Sequence, residues 1–314
     1  MKTEKVLQIN NLTKKYSNEF TAVDKLNLNL NKGEIFGLLG PNGSGKTTTL
    51  LMILGLIEPT EGEIEVLGLN PLTDPLKVKS RIGYLPDSVG FYEDLNAYEN
   101  IEYTSKLLNI PKETRDKTIV ETLEKMGLKE RMYEKVSTYS HGMKQRLGLC
   151  EIIIKHPEIA ILDEPTQGLD PKSIKDFLDI IKNLNEEEKM TILISSHQLN
   201  EVQYICDNVG LFSKGKLLAK GSVKNLSKQI YGEDYLIELD ISSRKNISNL
   251  LKKNEDIKNF VVKDGIWHLS CTKDIRSDLV NSLVENNINI NKIATYEHSL
   301  DEVYNQYYKG GVDE

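Results

Sequence analysis

Apolar and polar positions change their spacing along the chain. Residues 22–30 alternate between apolar and polar side chains, which predicts a half-buried strand. Residues 159–162 and 191–194 are continuously apolar, as is typical of strands buried on both faces. A helical pattern over residues 171–185 lies between those two strands, so the order predicts a right-handed βαβ crossover. The chain is therefore expected to have an α/β core with a mostly parallel sheet.

Other segments complete this core. Residues 6–9 and 63–68 are predicted to form strands that make an antiparallel layer with residues 22–30. From Leu95 to about Lys155 the pattern is helical, and Pro111 and Gly127 break it; Pro111 suits the first turn of a new helix. A closing hairpin is expected from residues 209–212 and 216–219.

After Gly221 the pattern indicates a smaller α+β unit. A helical connector is expected first, followed by strands and helices at residues 235–239, 247–253, 260–262, 266–269 and 275–286. The last helix begins at Ser299, and Glu302 three residues later predicts a capping box. One face of this helix, interpreted as core packing, carries Leu300, Val303, Tyr304, Tyr307 and Tyr308. We expect two domains, residues 1–222 and 223–314.

A glycine-rich loop separates a short buried strand at residues 34–39 from an apolar helix at residues 47–54. It fits the pattern G-x-x-x-x-G-K-[ST] through Gly40, Pro41, Asn42, Gly43, Ser44, Gly45, Lys46, Thr47 and Thr48. The inward N–H groups and the helix N-terminus predict an anion site. Lys46 can reach the β- and γ-phosphates, and the Thr47 hydroxyl suits Mg²⁺. The loop therefore predicts a nucleoside triphosphate bound through its phosphates.

Two carboxylates follow the buried strand at residues 159–162. Asp163 at the strand's carboxyl end is expected beside the phosphate-binding loop, where it can hold Mg²⁺. Glu164 is placed to orient or deprotonate a water that attacks the γ-phosphate, and a positioned base contributes about 10²–10⁴-fold in rate. An exposed acidic turn is the alternative, and the upstream loop makes it the weaker interpretation.

With these residues the chain resembles the ATP-binding cassette (ABC) family. Residues 140–146, which begin Ser140-His141-Gly142, resemble the family's signature motif. Ser140 is expected to cap a helix whose N–H groups receive an anion, and Gly142 to permit close approach. In the family that anion is the γ-phosphate held by a partner subunit. The resemblance therefore implies ATP sandwiched in a head-to-tail dimer.

The resemblance covers about residues 5–221. It implies a P-loop ABC ATPase domain with a RecA-like core, an antiparallel β layer and a helical subdomain at about residues 88–155. It also implies ATP and Mg²⁺ as ligands and three further site residues. Tyr16 resembles the aromatic residue that stacks on adenine, although a surface tyrosine explains it equally well. Asp170 resembles part of the loop that communicates across the dimer, and His197 the histidine that reaches the γ-phosphate.

Two positions depart from the family pattern. Asp87 stands where the family usually has glutamine, and a carboxylate only accepts hydrogen bonds. We expect it to contact Mg²⁺ through water rather than to position a water as an amide does. His141 replaces a signature glycine, which is expected to slow hydrolysis if backbone contact is needed there. An acidic residue at the first of these positions is frequent among the exporter ATPases that the chain resembles.

The C-terminal segment resembles the small domain of bacterial ABC-2-type exporter ATPases, including the antibiotic-resistance and sodium-export subfamilies. This implies an ATP-hydrolysing motor subunit that pairs with itself or a related subunit. A separate membrane permease is expected to bind near residues 87–106, because no run of 18 apolar residues occurs in the chain. The three scattered cysteines fit a reducing cytosol, and the first residues lack an apolar signal region. We expect a cytoplasmic protein held at the inner face of the membrane.

Two other functions compete with the transporter. A soluble ABC-type ATPase acting on ribosomes or DNA usually has two cassettes and a charged linker, or a long coiled coil, and this sequence has neither. The net charge of −7 also argues against a nucleic-acid partner. A scaffold that binds nucleotide without hydrolysing it is disfavoured, because Glu164 and His197 are both present. The cargo cannot be inferred, since the permease builds the substrate pathway.

Overall fold

A computed structural model describes residues 4–16, 20–242 and 247–310. The chain divides into two compact units, Met1–Gly221 and Ser222–Glu314. The strands of the first unit are β1 (Lys5–Lys15), β2 (Thr21–Asn31), β3 (Ile35–Leu39), β4 (Glu61–Val66), β5 (Ile82–Leu85), β6 (Ile159–Asp163), β7 (Thr191–Ser196), β8 (Asn208–Ser213) and β9 (Lys216–Gly221). Its helices are α1 (Lys46–Ile53), α2 (Pro75–Arg81), α3 (Ala97–Leu107), α4 (Lys112–Lys125), α5 (His141–Ile153), α6 (Pro171–Glu188) and α7 (Leu199–Ile205).

A six-stranded sheet forms the centre of the first unit. Its strand order is β5-β6-β7-β3-β8-β9, and every neighbouring pair is parallel except β8 with β9. Strands β6 and β7 are buried along their whole length and are joined through α6, which confirms the predicted βαβ arrangement. The carboxyl ends of β3, β6 and β7 therefore meet at one edge of the sheet.

Alternate residues of the central strands enter two different cores. Leu38, Ile161 and Leu193 join a cluster that includes the antiparallel layer β2-β1-β4 and helix α1. Leu162 and Ile194 face the opposite cluster, which includes helices α3 to α6. The predicted antiparallel layer and the helical region are thus confirmed, and they lie on opposite faces of the sheet. Because both faces are covered, continuous apolar runs are the pattern expected for these strands.

The helical region between β5 and β6 contains three α-helices and two short 3-10 helices, Lys129–Arg131 and Val136–Thr138. Asn96 and Glu99 form a capping box at the start of α3. Pro111 is the capping residue of α4, one position before the first turn in which the sequence predicted it. Ile101 and Ile119 are fully buried in the core shared by these helices. Helix α5 then leads into β6 and so joins this region to the central sheet.

The second unit has the order β-α-β-β-α-β, flanked by one helix at each end. Its elements are α8 (Val223–Tyr231), β10 (Tyr235–Ile241), α9 (Ser248–Leu251), β11 (Ile257–Lys263), β12 (Ile266–Cys271), α10 (Arg276–Glu285), β13 (Ile290–Tyr296) and α11 (Leu300–Gly310). The antiparallel sheet has the order β11-β12-β10-β13. This is a ferredoxin-like arrangement, with α9 and α10 contributing to the core of the sheet. The edge strand β13 was missed by sequence reasoning, because polar residues interrupt its apolar pattern.

Helix α11 has the predicted capping box. The Ser299 backbone N–H donates to Glu302 and the Glu302 N–H donates to the Ser299 hydroxyl. Leu300 and Val303 are fully buried, as the apolar stripe predicted, whereas its three tyrosines are only half-buried. Among the described residues, no helix combines the length and the apolar run required to cross a lipid bilayer.

Candidate nucleotide site

The loop between β3 and α1 has a backbone that only glycine can supply at two positions. A Cβ atom at Gly40 would lie 2.4 Å from the Phe212 carbonyl oxygen, and one at Gly45 would lie 2.3 Å from the Ala22 carbonyl oxygen. Gly45 also has φ of 108° and caps α1. The loop therefore delivers the unpaired N–H groups at the start of α1 to the carboxyl edge of the sheet.

Two polar side chains of this loop are buried. Lys46 is 5% exposed, and its Nζ donates to the carbonyl oxygens of Gly40 and Pro41 at 2.7 and 3.3 Å. Ser44 is 2% exposed, and its hydroxyl has no hydrogen-bond partner in the part of the chain that the structure describes. A buried hydroxyl without a partner and a buried ammonium are groups that a phosphate oxygen would satisfy. Asn42, Gly43 and Thr47 are exposed, and Thr48 is half-buried.

Asp163 lies at the end of β6, opposite Ser195 of β7. Its carboxylate accepts a hydrogen bond from the Ser195 hydroxyl, and the Thr47 hydroxyl is near enough to lower its pKa. Burial raises the pKa of Asp163 above its ordinary 3.8, the two hydroxyl donors oppose that shift, and the charges of Glu164 and Asp87 add to it. The site therefore places a buried carboxylate beside a hydroxyl oxygen.

These oxygens fit Mg²⁺, which prefers hard oxygen ligands and usually takes only one or two carboxylates from the protein. Within the described residues no group of three or more His, Cys, Asp or Glu side chains could hold a metal by itself. An ion here would therefore take its other ligands from water and phosphate. A cation would also favour the ionised form of Asp163 and so oppose the effect of burial.

Glu164 joins three parts of the site. Its Oε2 lies 2.8 Å from Nδ1 of His197 and 3.3 Å from the His197 backbone N, and its Oε1 lies 3.2 Å from Nζ of Lys46. The Glu164 backbone has φ of 46°, an unusual conformation for a residue with a side chain, and its N–H bonds to Ser195. Because an ionised carboxylate only accepts hydrogen bonds, Nδ1 of His197 carries the shared proton when Glu164 is ionised.

Asp87 follows β5, the strand next to β6, and is exposed. Its charge raises the pKa of Asp163, as noted above, and it also acts on Tyr84. Burial, together with the charges of Asp163 and Asp87, raises the pKa of Tyr84 to about 12. The sheet thus brings Asp87 into the electrostatic surroundings of Asp163.

The signature segment lies at the start of α5. Ser140 caps the helix by accepting a hydrogen bond from the Met143 N–H at 3.3 Å, and the His141 ring bonds to the Gln167 carbonyl oxygen at 2.9 Å. At Gly142 an added Cβ would meet only ordinary contacts, 3.6 Å from Leu169. The folded chain itself therefore does not require glycine there.

Asp170 and Tyr16 lie elsewhere in the first unit. Asp170 caps α6 by accepting hydrogen bonds from the Ser173 hydroxyl and from the backbone N–H groups of Ser173 and Lys172, which hold the pKa of its carboxyl below the ordinary value. Tyr16 follows β1 and is 54% exposed, with Lys14 Nζ 5.3 Å from its ring centre. The contacts of the signature residues and Asp170 are thus separate from those that join Lys46, Glu164 and His197.

Sequence reasoning missed Ser195, which bonds to both Asp163 and Glu164. A signal was available, because Ser195 is the next-to-last residue of a buried strand and lies two residues before His197. It became decisive only when the register of β6 with β7 placed Ser195 opposite Asp163.

Comparison with known proteins decides the family. A family model described as ABC transporter matches residues 23–167. The chain is 38% identical over 308 residues to the bacitracin transport ATP-binding protein BcrA of Bacillus licheniformis, covering 98% of each chain. The chain belongs to the ABC transporter ATP-binding proteins. It is accordingly an ATPase and a motor subunit of a transporter.

Two further comparisons support the assignment of this ABC ATPase to the family. It is 38% identical over 237 residues to the linearmycin resistance ATP-binding protein LnrL of Bacillus subtilis, covering 76% of this chain and 75% of the relative. Its fold is similar to that of a dimeric ATP-binding cassette, MJ0796, solved in a post-hydrolysis state bound to ADP and Pi. That match has a TM-score of 0.62 and 27% identity, and it covers 69% of this chain and 98% of the other.

Proposed function

We propose that this ABC ATPase drives export, as a dimer that shares each nucleotide between two copies and acts on a separate membrane permease from the cytoplasmic side. The proposal is supported by relatives named for bacitracin transport and linearmycin resistance. A resistance protein removes its compound from the cell in the simplest case, which favours export. The permease is inferred from the relatives' role as ATP-binding proteins.

One observation carries the catalytic part of the proposal, namely that Lys46, Glu164 and His197 converge at one edge of the sheet. Lys46 and the first N–H groups of α1 would bind the β- and γ-phosphates. Glu164 would accept the proton of the attacking water, and the ring of His197, held through Nδ1, would contact the γ-phosphate. Tyr16 would stack on the adenine.

Asp163 and the Thr47 hydroxyl would hold Mg²⁺, with Asp87 contacting it through water. The ion, when bound, supplies positive charge that stabilises the charge developing on the phosphate oxygens. Asp163 already accepts a bond from Ser195, so its carboxylate is held in one orientation for this purpose.

The dimer is inferred from the signature helix. Ser140, His141 and Gly142 stand at the N-terminus of the 13-residue helix α5, whose first N–H groups attract anions. Their contacts do not include the phosphate-binding loop of the same chain, so we assign them to the γ-phosphate of a second copy. Gly142 fits this role, because among the described residues none lies close enough to its position to require glycine. Asp170 would couple the two nucleotide sites of the dimer to each other.

The second unit is proposed to stabilise this dimer or to limit its opening. This proposal rests on the tyrosine-bearing face of α11, where Tyr304 and Tyr308 stack with ring centres 4.1 Å apart. We expect a chain ending at residue 221 to dimerise less tightly with ATP, as light scattering would show. Unchanged dimerisation and ATPase activity would remove this role.

Glu164→Gln tests the catalytic proposal. The amide keeps the side chain's shape but is not a base, so hydrolysis should fall at least about 100-fold. The ATP-bound dimer should then accumulate, which size-exclusion chromatography with light scattering detects. Glu187→Gln, at an exposed ion pair with Lys125, is the matched control and should retain normal turnover. Near-normal hydrolysis by the Glu164 variant would reject Glu164 as the base.

Export is tested in cells that express the chain together with its candidate permease. Accumulation of labelled bacitracin should fall, and the same pair with Glu164→Gln should not lower it. Increased uptake that depends on Glu164 would reverse the proposed direction.

A further inference from the structure

We propose that Glu201 is a positioning residue for the catalytic pair Glu164 and His197. Glu201 lies in the first turn of α7, four residues after His197, and is only 6% exposed. Neither sequence reasoning nor the roles proposed above use this carboxylate. The inference rests on the catalytic roles proposed for Glu164 and His197.

The Glu201 carboxylate joins the two segments that carry the pair. Its Oε2 accepts a hydrogen bond from the Thr166 hydroxyl at 2.5 Å and a longer one from the Ser196 hydroxyl at 3.5 Å. Thr166 is two residues after Glu164, and Ser196 directly precedes His197. Thr166 and Ser196 are 1% and 0% exposed, so water cannot readily replace these contacts. A single oxygen atom therefore connects the end of β6 to the end of β7 beneath the catalytic side chains.

Such a connection is needed because Glu164 has a backbone conformation that its own sequence does not favour. A residue with a side chain at φ of 46° persists only where its surroundings hold it. The Glu164 N–H bonds to Ser195 on one side, and the Gln167 N–H bonds to the Glu164 carbonyl oxygen on the other. The Thr166–Glu201 hydrogen bond fixes the segment between those two contacts.

Helix capping does not account for Glu201. In a capping box the glutamate at the third helical position accepts the backbone N–H of the capping residue. Here the N–H of Gln198, the capping residue of α7, donates to the Ser196 hydroxyl at 2.9 Å instead. Glu201 is thus left to bind Thr166 and, more weakly, Ser196.

Burial of this carboxylate is unfavourable by itself. Burial raises the pKa of Glu201, the Thr166 hydrogen bond opposes the shift, and the charge of Glu164 adds to it. Its second oxygen, Oε1, is buried and accepts no hydrogen bond from any described residue. A group with these costs is explained better by the geometry that it holds than by a gain in stability.

Steady-state kinetics of purified Glu201 variants test the proposal. Glu201→Ala should lower kcat by about 10- to 100-fold, because small displacements of catalytic groups have effects of this size. The ATP KM should change little, since the phosphate-binding loop is untouched. Glu201→Gln keeps an oxygen that accepts from Thr166, so it should retain kcat within about threefold. Thr166→Val removes the donor and should resemble Glu201→Ala.

A second measurement separates positioning from general damage. In a His197→Ala background, Glu201→Ala should lower kcat by a much smaller factor than it does in the wild type, because one of the groups that Glu201 positions is already absent. Glu151→Ala is the control, since Glu151 is a half-buried carboxylate whose pKa is raised by burial and which accepts from the Thr104 hydroxyl at 2.9 Å. That variant should lose stability and keep kcat.

Either of two results overturns the proposal. One is a folded Glu201→Ala protein with kcat within twofold of the wild type, and the other is full additivity with His197→Ala. Glu164→Gln is measured alongside to separate the two levels of inference. If the Glu164 variant is inactive and the Glu201 variant fully active, only the positioning role of Glu201 is rejected. If the Glu164 variant is active, the role of Glu164 as the base is rejected, and the positioning proposal falls with it.

Discussion

The ammonium of Lys46 and the carboxylate of Glu164 are ion-paired, with 3.2 Å between Nζ and Oε1. Both side chains are largely buried, at 5% and 12% exposure. The ammonium directs its hydrogen bonds to the carbonyl oxygens of Gly40 and Pro41, so its link to Glu164 is mainly one of charge. Lys46, which we propose binds phosphate, thus also balances the negative charge of Glu164, the proposed base.

This pair predicts a stability effect that needs no nucleotide. Lys46→Ala leaves Glu164 mostly buried without its cation and should lower the free energy of unfolding by about 3 kcal/mol. Adding Glu164→Gln removes the uncompensated charge and should recover at least half of that loss. Urea unfolding of the two variants checks this, and equal stabilities would show that the ion pair contributes nothing. Lys46→Ala should also abolish tight ATP binding, and unaltered affinity would contradict its role.

The Ser195 hydroxyl predicts a pH effect on activity. It donates to Asp163 and thereby lowers a pKa that burial raises. In Ser195→Ala the ionised carboxylate loses this donor, so the pKa of Asp163 should rise further. If ionised Asp163 holds Mg²⁺, the acid limb of the kcat/KM profile should move to higher pH.

Ser105→Ala is the control for this measurement, since Ser105 is also fully buried and its hydroxyl donates to a backbone oxygen, that of Ile101, rather than to a carboxylate. Its acid limb should match that of the wild type. If the acid limb of the kcat/KM profile does not move in Ser195→Ala, the ionisation of Asp163 does not determine the observed rate.

Glu151 predicts a pH effect on stability. Burial raises its pKa above the ordinary 4.5, so the folded state binds this proton more tightly than the unfolded chain. Stability is therefore lost as the pH rises from 4.5 through the raised pKa, and the loss is complete above it. Glu151→Gln is neutral throughout and keeps an oxygen for Thr104. Urea unfolding should show that the free energy of unfolding of Glu151→Gln rises relative to that of the wild type as the pH approaches neutral. A difference between the two proteins that does not change with pH would contradict this.

Local patterns predicted much of the fold and the position of several proposed site residues at one edge of the sheet. Residues 159–164 combine a buried strand with carboxylates at its end, and the phosphate-binding loop has a strand and a helix on either side, so their place at one sheet edge follows from parallel topology. Edge strand β13 lacked such a pattern.

The contacts between these segments could not be predicted in the same way. The pairs Ser195–Asp163 and Thr166–Glu201 depend on the register of β6 with β7 and on side-chain rotamers. The left-handed backbone at Glu164 depends on that packing too, because local sequence disfavours it.

The central claim is that two copies share each nucleotide, and mixing two inactive variants tests it most directly. Lys46→Ala disables the phosphate-binding loop, and Ser140→Arg blocks the signature helix, so each protein alone should be inactive. A mixed dimer has one site built from two intact halves, so an equimolar mixture should recover about a quarter of wild-type ATPase activity if copies exchange randomly and sites are independent. A mixture whose exchange is verified by differently tagged copies, yet which stays as inactive as its components, would contradict the shared site.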